Sequence, residues 1–418
     1  MKKNWLKLDN AAQLFSTIAS KSDTQVFRLS CELQSPIKPK LLQKALLKTH
    51  AQFPIFHYTL KRGFFWYYLE QTTLFPQVSP ETQPICSPLY SHQHKALLYE
   101  VSYYRQRINL ETYHVLADGT GAKLFFTTLI SEYLALTQKI PRPNLDLDTS
   151  HAQIIDDSFT KHITPTSFLS STKKIATPFA AQIAGRQYNE NRLKVITGTL
   201  PLNQTLKLAK KHQATLTIFL TACLMQAISQ NLSQRANQKP VVILIPVNLR
   251  TFFPSKSLRN FFSTINVSYN FSTSPGELDD IIQKITLDLK SHLNHKDLKA
   301  KISTFAAIEN NLLVKFIPLF LKHFILRFSD QIATQTVTAT LSNLGPITLP
   351  TQLDPVSNFT FFSGTNQLQI GVISHQNQLS ISFTTPFMSS DIAKDFFRYF
   401  STLGLPVEIT TNHLPEDI

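Results

Sequence analysis

Strand-like and helix-like stretches alternate along this chain, stop in a polar stretch near its middle, and then begin again. That order restricts the fold more than any other feature. After a helix predicted over Asn10 to Ile18, VFRLSCEL reads as a strand, and KPKLLQKALLKTHAQF repeats its apolar residues at helical spacing. PIFHYTLKRG and FFWYYLEQT alternate about Arg62-Gly63 as a hairpin. LLYEVSYYRQRINLETYHVL continues as β sequence, and GAKLFFTTLISEYLALT as an amphipathic helix. From Pro141 to about Asn191, segments such as PRPNLDLDTS and DDSFTKHITPTSF carry neither period and read as a crossover.

The second series opens with a strand, RLKVITGTLPL, and a helix, NQTLKLAKKHQ. TLTIFLTACLMQAISQNL follows as a long buried helix capped by Thr215 or Thr217. VVILIPVNLR is a buried strand ending at Arg250. FSTINVSYNF, VTATLSNLG, FTFFSGTNQLQIGVIS and QLSISFTTPF supply more strands, the last two turning at His375-Gln376-Asn377, and DIAKDFFRYFSTL closes as a helix. Mixed α/β layers are therefore expected in each half. A chain of 418 residues exceeds one ordinary core, so two domains are expected, 1–180 and 181–418. The 31 phenylalanines and 43% apolar content can fill both.

Where the first series passes from strand to helix stands His114-Val-Leu-Ala-Asp118-Gly119, an HxxxDG pattern. Acyl transfer needs a base with a pKa near neutral and a fixed ring, which an imidazole at a strand end supplies. Asp118 could orient that ring, fold back on the backbone or bind a cation, and Gly119 would let the chain bend sharply. The plainer reading makes His114 a satisfied histidine and Asp118 the N-cap of the next helix.

The net charge of +14 favours anionic partners such as coenzyme A, an acidic acyl-carrier protein or an anionic membrane face, although a generally basic solvated surface explains it equally well. Basic residues are scattered, with no arm or aromatic platform for nucleic acid. Cys31, Cys86 and Cys223 form no CxxC pair, and no His cluster has metal-ligand spacing, so neither a disulfide framework nor a metal site is expected. The opening KKNWLKLDNAAQLF lacks the apolar core of a signal peptide, which makes the cytoplasm the expected location. NLLVKFIPLFLKHFILRF, residues 311–328, has too many charges for a spanning helix. It reads as a core or tunnel-lining helix, with peripheral membrane contact as the alternative.

Four segments in order, YHVLADG at Tyr113, IPVNLRTFF with SLRNFFST from Ile245, TLSNLGPITLP at Thr340 and QLQIGVISHQNQLSISF at Gln367, resemble the chloramphenicol acetyltransferase-like superfamily. That superfamily includes peptide condensation domains, plant acyltransferases and bacterial alcohol acetyltransferases. The resemblance implies two similar mixed-sheet α/β domains in a V-shaped pseudo-dimer around a central tunnel. It implies that His114 deprotonates an acceptor hydroxyl or amine attacking a thioester, and that Asp118 is structural, paired with an arginine for which Arg250 is the candidate. Ser342 and Asn343 are the candidate donors to the oxyanion, and Asn260 reads as structural rather than catalytic. Acyl-CoA, or an acyl-carrier protein, would be the co-substrate, with no bound cofactor.

Two departures bear on the reading. Tyr113 stands where condensation domains usually carry a second histidine, and the C-terminal DFGWG loop of plant members is missing. An acyl-CoA-dependent acyltransferase acting on an alcohol or amine is thus the first expectation. A carrier-protein-dependent condensation-type enzyme and a noncatalytic tunnel-fold binding protein are the alternatives.

Overall fold

The computed structural model describes residues 5–91, 93–141, 151–162, 178–188, 192–310, 316–350 and 356–412. The first half contributes β1 (Trp5–Lys7), β2 (Val26–Leu33), β3 (Tyr58–Arg62), β4 (Tyr67–Gln71), β5 (Val78–Pro80), β6 (Tyr99–Tyr104) and β7 (Arg107–Tyr113). The second contributes β8 (Lys194–Pro201), β9 (Val241–Asn248), β10 (Phe262–Tyr269), β11 (Ala339–Ile347), β12 (Val356–Ser363), β13 (Leu368–His375), β14 (Gln378–Thr385) and β15 (Glu408–Thr411). They form a three-stranded sheet β1-β4-β3, a five-stranded sheet β12-β2-β7-β6-β5 and a seven-stranded sheet β10-β9-β11-β13-β14-β8-β15. Both larger sheets are mixed, because β5 runs parallel to β6, and β11 parallel to β9 and β13.

Each large sheet carries its own core. The helix Gly119–Gln138 packs against the helix Pro39–Gln52 over the five-stranded sheet, burying Phe125, Phe126 and Leu129. The helix Leu216–Gln230 is apolar around most of its circumference and is correspondingly enclosed by β9 and by the helices Leu278–His292 and Asp391–Thr402. Thr215 caps it, accepting from Ile218 N, so of the two threonines the nearer to the start does the capping.

One strand crosses between the halves. β12 leaves the second half to pair antiparallel with β2, placing Phe361 opposite Leu29, and Phe359, Phe361 and Phe362 join the first core. Burying one such phenylalanine is worth about 1.5–3 kcal/mol, so this exchange ties the halves together firmly. Gly371 on β13 makes the crossing possible, since a Cβ there would overlap the Phe361 carbonyl. Alternation marks β12 as a strand but carries no information about which sheet receives it.

The stretch 311–328 is only partly within the described residues, which resume at Phe316. There the core expectation fails. The helix Leu319–Thr334 turns Leu319 and Lys322 inward, while Phe320, Leu321, Phe324, Ile325 and Phe328 are exposed. Lys322 Nζ donates to the Phe65 carbonyl at 3.0 Å and sits over the Trp66 ring, which holds the helix in this orientation. No helix among the described residues is long and apolar enough to cross a membrane.

Candidate active site

β7 ends at Tyr113, and the next residue, His114, is fastened by its amide to the Gln25 carbonyl at 2.8 Å. Gln25 adopts a left-handed conformation, φ 55°, to present that carbonyl. Leu116 N then bonds Tyr113 O at 2.8 Å, closing a turn whose apolar residues Val115, Leu116 and Ala117 are buried. The strand end, the turn and the following helix thus hold the His114 Cα rigidly.

Asp118 caps that helix. One carboxylate oxygen accepts from Gly121 N at 3.0 Å, and the other accepts from Phe261 N at 3.0 Å and Arg250 Nη1 at 2.7 Å. Arg250 spends its remaining donors on the carbonyls of Ser257 and Arg259 and on Asn248 Oδ1. The pair therefore locks the 248–261 loop of the second half to the motif turn of the first. Both oxygens of Asp118 are committed to these bonds, and among the described residues no group of three His, Cys, Asp or Glu side chains could hold a metal.

Gly119 does not serve as a sharp bend, since its φ is not in the left-handed region. A side chain there would instead strike the Leu344 side chain, whereas one at Gly121 would strike the Leu258 carbonyl. Backbone cannot rotate aside as a leucine tip can. Gly121→Ala is expected to destabilise the protein by about 1–3 kcal/mol in urea unfolding and Gly119→Ala by less, despite alanine's better helix propensity at both sites.

The ring of His114 is packed among Phe15, Phe27 and Phe262, with centroids 4.4, 5.0 and 5.7 Å away. Its Nδ1 lies 3.1 Å from Asn260 Oδ1. The orientation of the Asn260 amide follows from its other contacts. Its nitrogen faces two acceptors, the His114 carbonyl at 2.9 Å and Asp9 Oδ1 at 3.3 Å, so its oxygen must be the atom turned to the imidazole. Nδ1 then carries the proton and Nε2 the lone pair. Burial among the aromatic rings pushes the His114 pKa below 6.5, opposed by the charge of Asp118 and the bond to Asn260. The ring is a neutral base at pH 7.

Asp9 anchors the far side of this network. It caps the helix Asn10–Ile18, accepting from Ala12 N at 2.8 Å, and lies beside Arg259. Burial raises its pKa to about 6, with Arg259 opposing the shift. Neither Asp9 nor the aromatic rings carries a local signal in sequence. Asn260 lay in a segment singled out for its resemblance, yet its contact with a ring 146 positions away could not be read there.

The SNLG segment also reaches the motif. Lys123 Nζ, on the motif helix, donates to the carbonyls of Leu344 at 2.7 Å and Pro346 at 3.2 Å, and Leu344 packs on Gly119. Asn343 is occupied by the local architecture, with Nδ2 donating to Thr217 Oγ1 at 3.0 Å and Oδ1 accepting from Gly345 N at 2.8 Å. These bonds hold Asn343 at the irregularity between Asn343 and Pro346 inside β11 and use one of the two hydrogens of its amide nitrogen. Ser342 has no such side-chain bond among the described residues. A separate open groove, lined by His50, His57, Leu74 and Phe75, lies between the Pro39–Gln52 helix and residues 72–78 and does not include His114.

The family model for alcohol acetyltransferases matches residues 155–386, more than half of the chain, while no curated protein matches it in sequence. Among solved structures, the chain is similar to polyketide synthase associated protein 5 from Mycobacterium tuberculosis, at 13% identity and TM-score 0.64, over 95% of this chain and 97% of that one. It is similar to the starter condensation domain of rhizomide synthetase, in a point-mutant form in complex with C8-CoA, at 16% identity and TM-score 0.61, over 96% and 95%. It is also similar to the trichothecene 15-O-acetyltransferase of Fusarium sporotrichioides, at 10% identity and TM-score 0.61, over 95% and 94%. At these identities the likeness establishes the fold, and its near-complete coverage fits a V-shaped pair of α/β lobes. The match to the family model adds what fold alone does not: this chain belongs to the alcohol acetyltransferase family and is an acyltransferase.

Proposed function

We propose that the protein transfers an acyl group from acyl-CoA to the hydroxyl of a small alcohol, with His114 Nε2 as the general base. The observation that carries this reading is the Asn260 bond to Nδ1, which leaves the Nε2 lone pair uncommitted on a ring that is neutral at pH 7. Nε2 removes the hydroxyl proton as the alcohol oxygen attacks the thioester carbonyl. The carbonyl π electrons move to oxygen, giving a tetrahedral oxyanion, for which Ser342 is the proposed donor. Collapse re-forms the carbonyl and breaks the C–S bond, and the imidazolium returns its proton to the departing thiolate. Ester and free coenzyme A result.

In this proposal 1–180 and 181–418 act as two lobes with the reaction at their junction. His114 and Asp118 come from the first, and Arg250, Asn260 and Ser342 from the second. An acyl-CoA donor is supported by the family and by the C8-CoA complex of the rhizomide synthetase domain. The test is release of coenzyme A thiol from acetyl-, butyryl-, hexanoyl- and palmitoyl-CoA in the presence of alcohols and amines. Release that needs an alcohol and disappears in His114→Ala is the expected result, and alcohol-dependent release undiminished in that variant would overturn the assignment of the base.

Asn260 is assigned as a positioning residue, and pH distinguishes this role from a merely structural one. Because His114 titrates below 6.5, the acid limb of kcat/KM should lie below that value, with activity lost as the falling pH protonates the ring. Asn260→Ala would remove the bond to Nδ1 that favours the charged ring and so move the limb to still lower pH. An unmoved limb with reduced activity would indicate a structural role only.

A further inference from the structure

The helix Leu319–Thr334 is mounted inside out. Positions 320, 321, 324, 325 and 328 fall on one helical face, and all five carry large apolar side chains turned to solvent, with Phe320 63% and Phe324 74% exposed. The opposite face directs Lys322 inward to the Phe65 carbonyl, and Arg327 bonds the Thr17 and Ala19 carbonyls. These anchors fix the orientation, so the apolar stripe is not a helix that has failed to find the core. Beside it, Phe64 on the β3–β4 turn is 72% exposed and its carbonyl accepts from Leu319 N, while Phe316 is 69% exposed. The result is a contiguous apolar ridge of exposed side chains made of one helix and one turn, more than scattered surface hydrophobics account for.

We propose that this ridge seats the protein on an anionic lipid surface. An exposed apolar helix face with charge on its flank suits a fluid apolar phase, into which an amphipathic helix sinks sideways. The charges agree. Arg62 and Arg327 lie on this side of the molecule, both close enough to act on the Tyr67 phenol, and exposed Arg62 adjoins Phe64 in the turn. Asp330, the acidic residue of the helix, is only partly exposed, and the chain carries +14 overall. Arg62, at the rim of the apolar face, can keep its head among lipid phosphates while its stem follows the acyl boundary.

Seating on lipid has a consequence for the acceptor. The ridge helix packs on the helix Asn10–Ile18, whose Phe15 touches the His114 ring. The ridge helix and the helix Asn10–Ile18 therefore lie between the seated face and His114. An alcohol with an alkyl tail would be concentrated on that same lipid surface.

Co-sedimentation with vesicles tests the proposal without relying on catalysis. Wild type is expected to pellet with phosphatidylcholine vesicles containing phosphatidylglycerol, and at least several-fold less with phosphatidylcholine alone. Phe324→Glu with Phe328→Glu, both exposed and far from the reacting groups, should abolish pelleting and leave thiol release with a short soluble alcohol unchanged. Wild type remaining in the supernatant with both vesicle types, or pelleting equally well in the variant, would overturn the lipid assignment. Equal binding to neutral vesicles would overturn its anionic character. A wild-type dimer that ignores vesicles and is dispersed by the two substitutions would overturn it in favour of a second copy of the chain.

Discussion

His114→Ala is expected to lower kcat/KM by about 10²–10⁴-fold, the usual contribution of a positioned general base. In free energy this is about 2.7–5.5 kcal/mol, taken from the transition state rather than from the folded state. Stability should move less. The residue is half-buried, so the cost is the lost packing on Phe15, Phe27 and Phe262 and the unsatisfied Asn260 oxygen, about 1–3 kcal/mol, which is small beside the loss of rate only if water can enter its place. Steady-state kinetics and urea unfolding on the same preparation separate the two effects. A large fall in stability accompanying the fall in rate would mean that the loop network, rather than Nε2, depends on the ring.

Asp118→Ala should show the reverse balance, with a cost of about 3–5 kcal/mol in stability, because it leaves Arg250 charged and nearly buried without its partner. The substitution also removes the acceptor for Gly121 N and Phe261 N. Against a total stability of about 5–15 kcal/mol, this is enough to reduce the yield of folded protein. Asp118→Asn offers little rescue. Its oxygen can retain the cap, but its amide nitrogen then meets the donors of Arg250 and Phe261. In an Asp118→Ala, Arg250→Met double variant the buried charge is gone, so the combined loss should be smaller than the sum of the two single losses. Strict additivity in urea midpoints would contradict a direct buried pair.

Part of this site was legible in the chain because it is local. A histidine at a strand end, a capping aspartate four residues on and a glycine next to it all lie in one turn, and the carboxylate does cap the helix. Asn343 illustrates the opposite case. Its place in SNLG suggested an oxyanion donor, but its contact with Thr217, which takes one of the two amide hydrogens, forms only when β11 and the Leu216–Gln230 helix pack together. The 311–328 stretch shows a different limit. Amphipathic periodicity defines two faces without saying which one turns inward, and here the Lys322 contacts with Phe65 and Trp66 decide it.

What the sequence determined by itself is most of the longer strands and helices, the mixed α/β class, the hairpin of β13 and β14 and the motif turn, since periodicity, caps and turns depend on neighbours within a few residues. The short strands β1, β5 and β15 and the helices Leu278–His292 and His295–Asn310 were not read there. Tertiary structure alone decided that β12 joins β2, that Asn260 selects the His114 tautomer, that Asp9 braces Asn260 and that three aromatic rings lower the histidine's pKa. Each of these joins residues far apart in the chain. Their partners were chosen by packing and by the need of buried polar groups for hydrogen bonds, and neither requirement leaves a mark on the local pattern.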